Sequence, residues 1–410
     1  MTRPSFALAA LALFASACTG TSGEDPTVTT SEAATTIPQG PVLEGLPLGS
    51  LPEGPSALSD RNAPEFPPPL VDVSDIRSGG PPPDGIPPID DPQFISVSEA
   101  DAWLADTEAV VVIEIDGDAR AYPAQILIWH EIVNDVVGGV PVAVTYCPLC
   151  NSAVAYGWTI NGVVTTFGTS GSLYSSALVM YDRATESLWT HYDGTAVVGM
   201  LAGTVLKAIP SPLLSWAEFK ATFPDGLVLD RDATGFTRDY GRNPYDGYDD
   251  VDNQPFLFDG TVDDRAAAMR RVVGVTLGEE SVAWALDALV ADSASATSAE
   301  VGGVPIVIFW KAGQSSALDD VAISTGQDVG SVGVFVRVVE RTVMEFEVGE
   351  DGEFVDASTG TSWDITGRAV AGALEGSRLE RVVHLDTFWF AWSTYRPGTR
   401  LVTDRTPISD

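Results

Sequence analysis

The segment Tyr146-Cys147-Pro148-Leu149-Cys150-Asn151 has the residue types and spacing that most directly offer chemistry. The chain has three cysteines, and Cys18 follows an N-terminal apolar run, which leaves Cys147 and Cys150 as a lone C-x-x-C pair. Thiols at this spacing form a redox pair or hold a metal. A redox pair of the thioredoxin kind sits between a strand and a helix N-terminus that stabilises the thiolate. Here the residues after the motif, Ser152 to Tyr156 and an Asn161-Gly162 turn signal, predict strand instead. A metal knuckle is a tight turn between strands with a left-handed residue after the second cysteine, and Asn151 tolerates that conformation. A local disulfide is the third reading, favoured by an oxidising compartment and disfavoured by a loop too short to restrain much unfolded chain.

One knuckle supplies two ligands, so a metal would need non-cysteine donors. The chain has three histidines, His130, His191 and His384. His130, in Trp129-His130-Glu131, is expected to complete a site with Cys147 and Cys150, and Glu131 to orient its imidazole from outside the ligand set. Met180 and His191 are candidate additional ligands. Thiolate and imidazole suit both copper and zinc, so either is the expected ion. No G-x-S-x-G, H-E-x-x-H or P-loop pattern is present, and no catalytic residue is assigned. A thiol oxidoreductase or other enzyme, or a surface ligand-binding or structural module with an inert disulfide, remains open beside the metal reading.

The elements that must position these residues read as mainly β with a few short helices, an α+β class. Val111 to Ile115 and Ala119 to Tyr122 flank Asp116-Gly117 as a hairpin, Val140 to Tyr146 is a buried strand, and Asn161-Gly162 predicts a type I′ turn. Ser215-Trp-Ala-Glu218 has the spacing of a capping box and opens a helix to about Phe223. Ser98 opens another, Asp386 to Tyr395 is a third, and Ala124 to Asn134 is a fourth candidate.

The chain also repeats itself, which predicts two homologous halves from an internal duplication. Gly194 to Leu206 matches Gly367 to Leu379, and Val137-Gly-Gly-Val-Pro141 recurs as Val301-Gly-Gly-Val-Pro305. In the second register Cys147 and Cys150 correspond to Lys311 and Gln314, and the stretch Leu289 to Ser295 has no histidine to match His130. The expected organisation is a lipoprotein signal peptide at 1–18, a disordered Pro/Ser/Thr-rich tether at 19–92, a site-bearing half at 93–230, an acidic connector at 231–265, and a half without the site at 266–410. Tyrosines and arginines of Asp239 to Tyr248 are candidates to rim a pocket.

Phe6 to Phe14 is too short to span a bilayer and suits a signal h-region, and Ala15-Ser16-Ala17-Cys18 reads as a lipobox. Cys18 is therefore the expected lipidation site, with the protein anchored to the cell membrane on its extracytoplasmic face. Acidic residues number 57 against 22 basic, a formal net charge of −35, which argues against nucleic acid as a partner. Protein partners are not indicated.

Several segments carry a resemblance: Ala119-Arg-Ala-Tyr-Pro123, Trp129-His-Glu-Ile-Val-Asn-Asp135, Thr145-Tyr-Cys-Pro-Leu-Cys150, Met180-Tyr-Asp-Arg183, Ser187-Leu-Trp189, Asp239-Tyr-Gly-Arg242 and Phe388-Trp-Phe-Ala-Trp392. On these the chain resembles a prokaryotic domain-of-unknown-function family, number 3179. That family usually has glycine where this chain has Asn151. The resemblance implies an extracytoplasmic domain with a His and Cys-Cys motif, and it names no reaction.

Overall fold

The structure is a computed structural model that describes residues 40–350 and 352–404. The expected signal peptide, Cys18 and the first part of the expected tether lie outside the described residues.

Turn chemistry sets the first hairpin. Asp116 and Gly117 take φ of 51° and 84°, the left-handed pair that a two-residue connection needs. They join Ala109–Ile115 to Asp118–Pro123 with Ile115 opposite Asp118. Val110, Val111, Val112 and Ile113 are all buried, so this strand reads as a continuous apolar run because both its faces are covered. Leu213–Ser215 flanks the hairpin antiparallel on one side. The helix Trp216–Thr222 then carries the chain across, and Leu227–Leu229 returns parallel to Asp118–Pro123 on the other side. Ser215 Oγ accepts the Glu218 N–H as the spacing predicted.

The second part of the chain follows the same order. Arg271–Leu277 and Glu280–Ala285 form a hairpin, and His384–Phe388 flanks it antiparallel. The helix Trp389–Tyr395 crosses, and Arg400–Val402 returns parallel to Glu280–Ala285. Each part adds a second antiparallel sheet, built on Ile132–Val137, Val140–Cys147 and Ser152–Gly157 in the first and on Ala294–Val301, Val304–Lys311 and Ser331–Val336 in the second. Each adds a third sheet containing the same side-chain turn. Asp182 accepts from Thr185 and from the Trp189 indole at 3.0 Å, and Asp356 accepts from Thr359 and from the Trp363 indole at 3.2 Å. The mainly β reading therefore holds, with five short α-helices among the described residues.

Five expectations change. The helix expected from Asp386 begins at Trp389, because Asp386 to Phe388 ends the strand His384–Phe388. The helix placed at Ser98 begins two residues earlier, because Ser96 forms the capping box with Glu99. The helix from Ala124 stops at His130, where Glu131 takes φ 58°, and the rest of the expected helix is the strand Ile132–Val137.

The described part of the expected tether is packed on the body. Ile76–Ser78 pairs with Ser172–Tyr174, Ala57 and Ile89 are buried, and Ile89 bridges to the Ile132–Val137 strand through Ile132 O and Asn134 N–H, each at 2.9 Å. Proline favours extended backbone here, but enough apolar side chains alternate with it to offset the ordering entropy. The expected connector is also seated. Asn243 N–H bonds Val321 O, and Asp249 is buried against Ser316. No helix among the described residues is long and apolar enough to cross a membrane.

Candidate thiol site

Val140–Cys147 runs into a single 3-10 turn, Pro148–Cys150, and Ser152–Gly157 returns antiparallel with Cys147 opposite Ser152. Proline at the first turn position leaves no orphan N–H. Asn151 closes the turn at φ 47°, ψ 49°, the left-handed conformation expected of a knuckle. Both thiols are buried and unbonded to each other, so the disulfide reading does not describe this structure.

The two sulfurs are electrostatically unequal. Burial pushes the Cys147 thiol up. The neighbouring Cys150 side chain and the N–H groups of Leu178, Cys150 and Leu149 outweigh burial, so it lies below an ordinary thiol. The Leu178 N–H donates to Cys147 Sγ at 3.4 Å. Cys150 goes the other way: burial, its hydrogen bond to Cys147 and the neighbouring charge of Cys147 all hold it protonated.

Glu131 is the third ionisable group. It sits just past the helix end in a backbone conformation that costs a non-glycine residue on the order of 1–3 kcal/mol. The residue is buried, and no hydrogen bond from the described residues reaches its carboxyl. Burial, and then the charge of Cys147, push it well above the usual carboxylate range. The expectation that Glu131 orients His130 is not met. His130 Nδ1 lies 2.7 Å from Pro87 O and Nε2 lies 2.7 Å from Tyr240 Oη. Burial lowers the pKa of this imidazole, and it ties the expected tether and connector to the body. Both ring nitrogens are therefore engaged away from the sulfurs. Among the described residues no group of three His, Cys, Asp or Glu side chains is arranged to hold a metal, so the expected set Cys147, Cys150 and His130 is not assembled.

His191 is the histidine that reaches the thiols, through Ser152. Thr145 Oγ1 donates to Val154 O at 2.6 Å, so it accepts from His191 Nδ1 at 2.8 Å. His191 Nε2 is then the acceptor for Ser152 Oγ at 2.9 Å, and Cys150 Sγ lies 3.0 Å from Ser152 Oγ. Burial pushes His191 down to about 3, so the ring is neutral and orients Ser152. Met180 is wholly buried in the same apolar core as Cys147 and is paired with Thr169 and Trp189.

The turn is gripped from elsewhere in the chain. Thr387 Oγ1 donates to Cys150 O at 2.7 Å, the Asn151 amide donates to Asp386 at 3.2 Å, and Tyr248 Oη donates to Leu149 O at 3.0 Å. Asp386 also faces Arg271, which neighbours Asp249. Beside the turn is a cavity of about 300 Å³ whose wall includes Glu131, Leu149, Leu178, Tyr245 and Tyr248. Rim residues in the tyrosine-rich segment were legible from sequence. Ser152, Leu178, Asp386 and Thr387 were not, because their roles are long-range contacts that local spacing does not encode.

The family model described as "Protein of unknown function (DUF3179)" matches residues 83–399. The chain belongs to this family. Neither a curated protein nor a solved structure matches it. The match begins inside the segment expected to be a tether, consistent with the packing of residues 83–92 on the body.

Proposed function

We propose that the protein acts through a dithiol, with Cys147 the reacting thiolate, Cys150 the resolving thiol and Glu131 the proton carrier. The geometry that carries this reading is the Leu178 N–H donating to Cys147 Sγ at 3.4 Å while Cys150 Sγ lies 3.0 Å from Ser152 Oγ, beside the buried Glu131; the opposed directions in which the two thiols are pushed support it. In a thiol–disulfide exchange, Cys147 attacks one sulfur of a substrate disulfide. The other sulfur leaves and takes the Glu131 proton. The Glu131 carboxylate then accepts the Cys150 proton, and Cys150 attacks Cys147. The Cys147–Cys150 bond forms, the second substrate sulfur leaves as a thiolate, and two electrons have passed to the substrate. Both sulfurs are buried, so Leu149 or Leu178 must move aside for this step. Duplication of one ancestral half, followed by loss of the thiols and the acid from the second, fits the shared order of elements. Cys18 remains the proposed lipid anchor, which would hold the site on the extracytoplasmic face of the cell membrane.

A second reading is a two-coordinate thiolate site for Cu(I). It is favoured by the left-handed Asn151 and the N–H groups directed at Cys147, which suit a knuckle. Two thiolates alone fit zinc poorly, because structural zinc takes four ligands.

Equilibration of the untagged protein in graded thiol–disulfide buffers, followed by acid quench and mass analysis, tests the first reading. A single two-electron transition confined to Cys147 and Cys150 is expected. Failure to form that disulfide at any poise would refute dithiol exchange. Stoichiometric Cu(I), lost in Cys147→Ser, would then establish the second reading.

A further inference from the structure

The cavity beside the thiols has walls from three separate stretches of chain: Ile86, Leu173 with Leu178, and Tyr248 with Phe256. These surfaces are apolar or aromatic, and Glu131 is the one carboxylate in the wall. The residue is 6% exposed, no hydrogen bond from the described residues reaches its carboxyl, and its oxygens open to the cavity. A buried carboxyl without a partner is costly, and a ligand that supplies one recovers that loss. Burial, and then the charge of Cys147, push its pKa well above the usual carboxylate range, which favours the form that can donate to a ligand. Of the other polar side chains in the wall, Thr169, Ser172 and Tyr248 already bond elsewhere and Tyr245 adds one hydroxyl; none carries a charge, so a charged ligand would lose its hydration there without compensation.

The wall is also held in place by the fold. Gly171, at φ 71°, lets Pro81 approach so closely that a Cβ at this position would lie 2.0 Å from Pro81 O. Gly79 N–H and Asp84 N–H donate to Gly171 O and Thr169 O, each at 2.8 Å, and Thr169 Oγ1 donates to Ile86 O at 2.7 Å. The proline-rich strap is thus fastened along the strand Phe167–Tyr174, which makes this wall a built feature of the fold.

We infer that this cavity binds an uncharged, mostly apolar molecule of one or two rings carrying a single hydrogen-bond-accepting oxygen, which Glu131 engages. The inference names the ligand class for the site proposed above, but the binding itself does not depend on thiol chemistry.

Three probes of one shape separate the contributions in equilibrium dialysis at neutral pH: 2-acetylnaphthalene, naphthalene and 2-naphthoate. The wild-type protein binds 2-acetylnaphthalene roughly tenfold tighter than naphthalene, and binds 2-naphthoate at least about tenfold more weakly than either. Glu131→Gln, which keeps an N–H donor, retains the preference for the ketone, whereas Glu131→Ala equalises ketone and hydrocarbon. Leu173→Trp fills the space and abolishes binding of both, with an unchanged melting profile as the check on folding. Cys147→Ser/Cys150→Ser binds all three as wild type does, so a failure of the dithiol reading leaves this result intact. Equal wild-type affinity for ketone and hydrocarbon, preferred binding of the carboxylate, or binding that survives Leu173→Trp in a folded protein would overturn the inference.

Discussion

The end of the strand Val140–Cys147 and the end of Val304–Lys311 occupy the same place in the order of elements, yet they are built for different purposes. In the first, the chain turns tightly through Pro148–Cys150 and presents two buried thiols. In the second, Lys311 faces outward to Glu218 at 2.8 Å, and buried Gln314 accepts from Ser331 Oγ. The helices that precede these sheets differ in step. Ala124–His130 ends on a buried acid, whereas Leu286–Leu289 is a single turn that runs into Val290. Thiols and acid are thus present together in one part and absent together from the other, as expected if they work as a unit. The second part still contributes, because Asp386 and Thr387 hold the Cys150–Asn151 backbone. The second part therefore serves as a clamp for the site in the first.

The sharpest way to break this contrast is exchange at matched positions. Cys147→Ser is expected to abolish rapid thiol modification of the folded protein, and Lys311→Ala to leave it unchanged, as read by peptide-resolved mass spectrometry. A smaller effect is expected from the clamp. Thr387→Val leaves Cys150 O without its donor and should cost about 1–3 kcal/mol in urea unfolding, with slower modification of Cys147 because the turn that aims N–H groups at it loosens.

His191 supplies a pH test. Its pKa is pushed down to about 3 by burial, below the roughly 6.5 of an unfolded histidine. The unfolded chain binds the proton first, so this contribution to stability is whole above about pH 6.5. It is lost as pH falls from there toward about 3. His191→Gln should flatten that part of the urea-midpoint profile against pH, and an unchanged slope would show that other groups carry it. The smallest expected effect is on stability in Lys311→Ala, about 0–1 kcal/mol in the same urea assay, because the Lys311–Glu218 pair is partly solvated.

Local physics made much of the fold legible in the sequence. Asp116-Gly117 and Asn161-Gly162 dictate their turns through positive φ, and Ser215 with Glu218 marks a helix start. The left-handed Asn151 was readable for the same reason. Proline content misled at residues 40–92, where composition signals extended backbone but does not say whether a sheet edge is waiting to receive it. At the site, adjacency in sequence suggested that Trp129-His130-Glu131 delivers its histidine to the cysteines. The helix ends between the two residues, and the break at Glu131 sends the acid to the cavity wall while His130 bonds Pro87 and Tyr240. The histidine that does approach, His191, lies 41 positions beyond Cys150 (191 − 150) and needs the sheet register to place it.

The central claim is that Cys147 is a stabilised thiolate while Cys150 is held protonated. The direct test is the rate of iodoacetamide modification of each cysteine in the folded chain, measured by peptide mapping across pH. The account predicts that Cys147 reacts first, with an apparent pKa below the roughly 8.5 of a free thiol, and that Cys150 stays unmodified until the pH is well above it. Equal rates at both cysteines with an ordinary thiol profile, or modification of both only on unfolding, would contradict it.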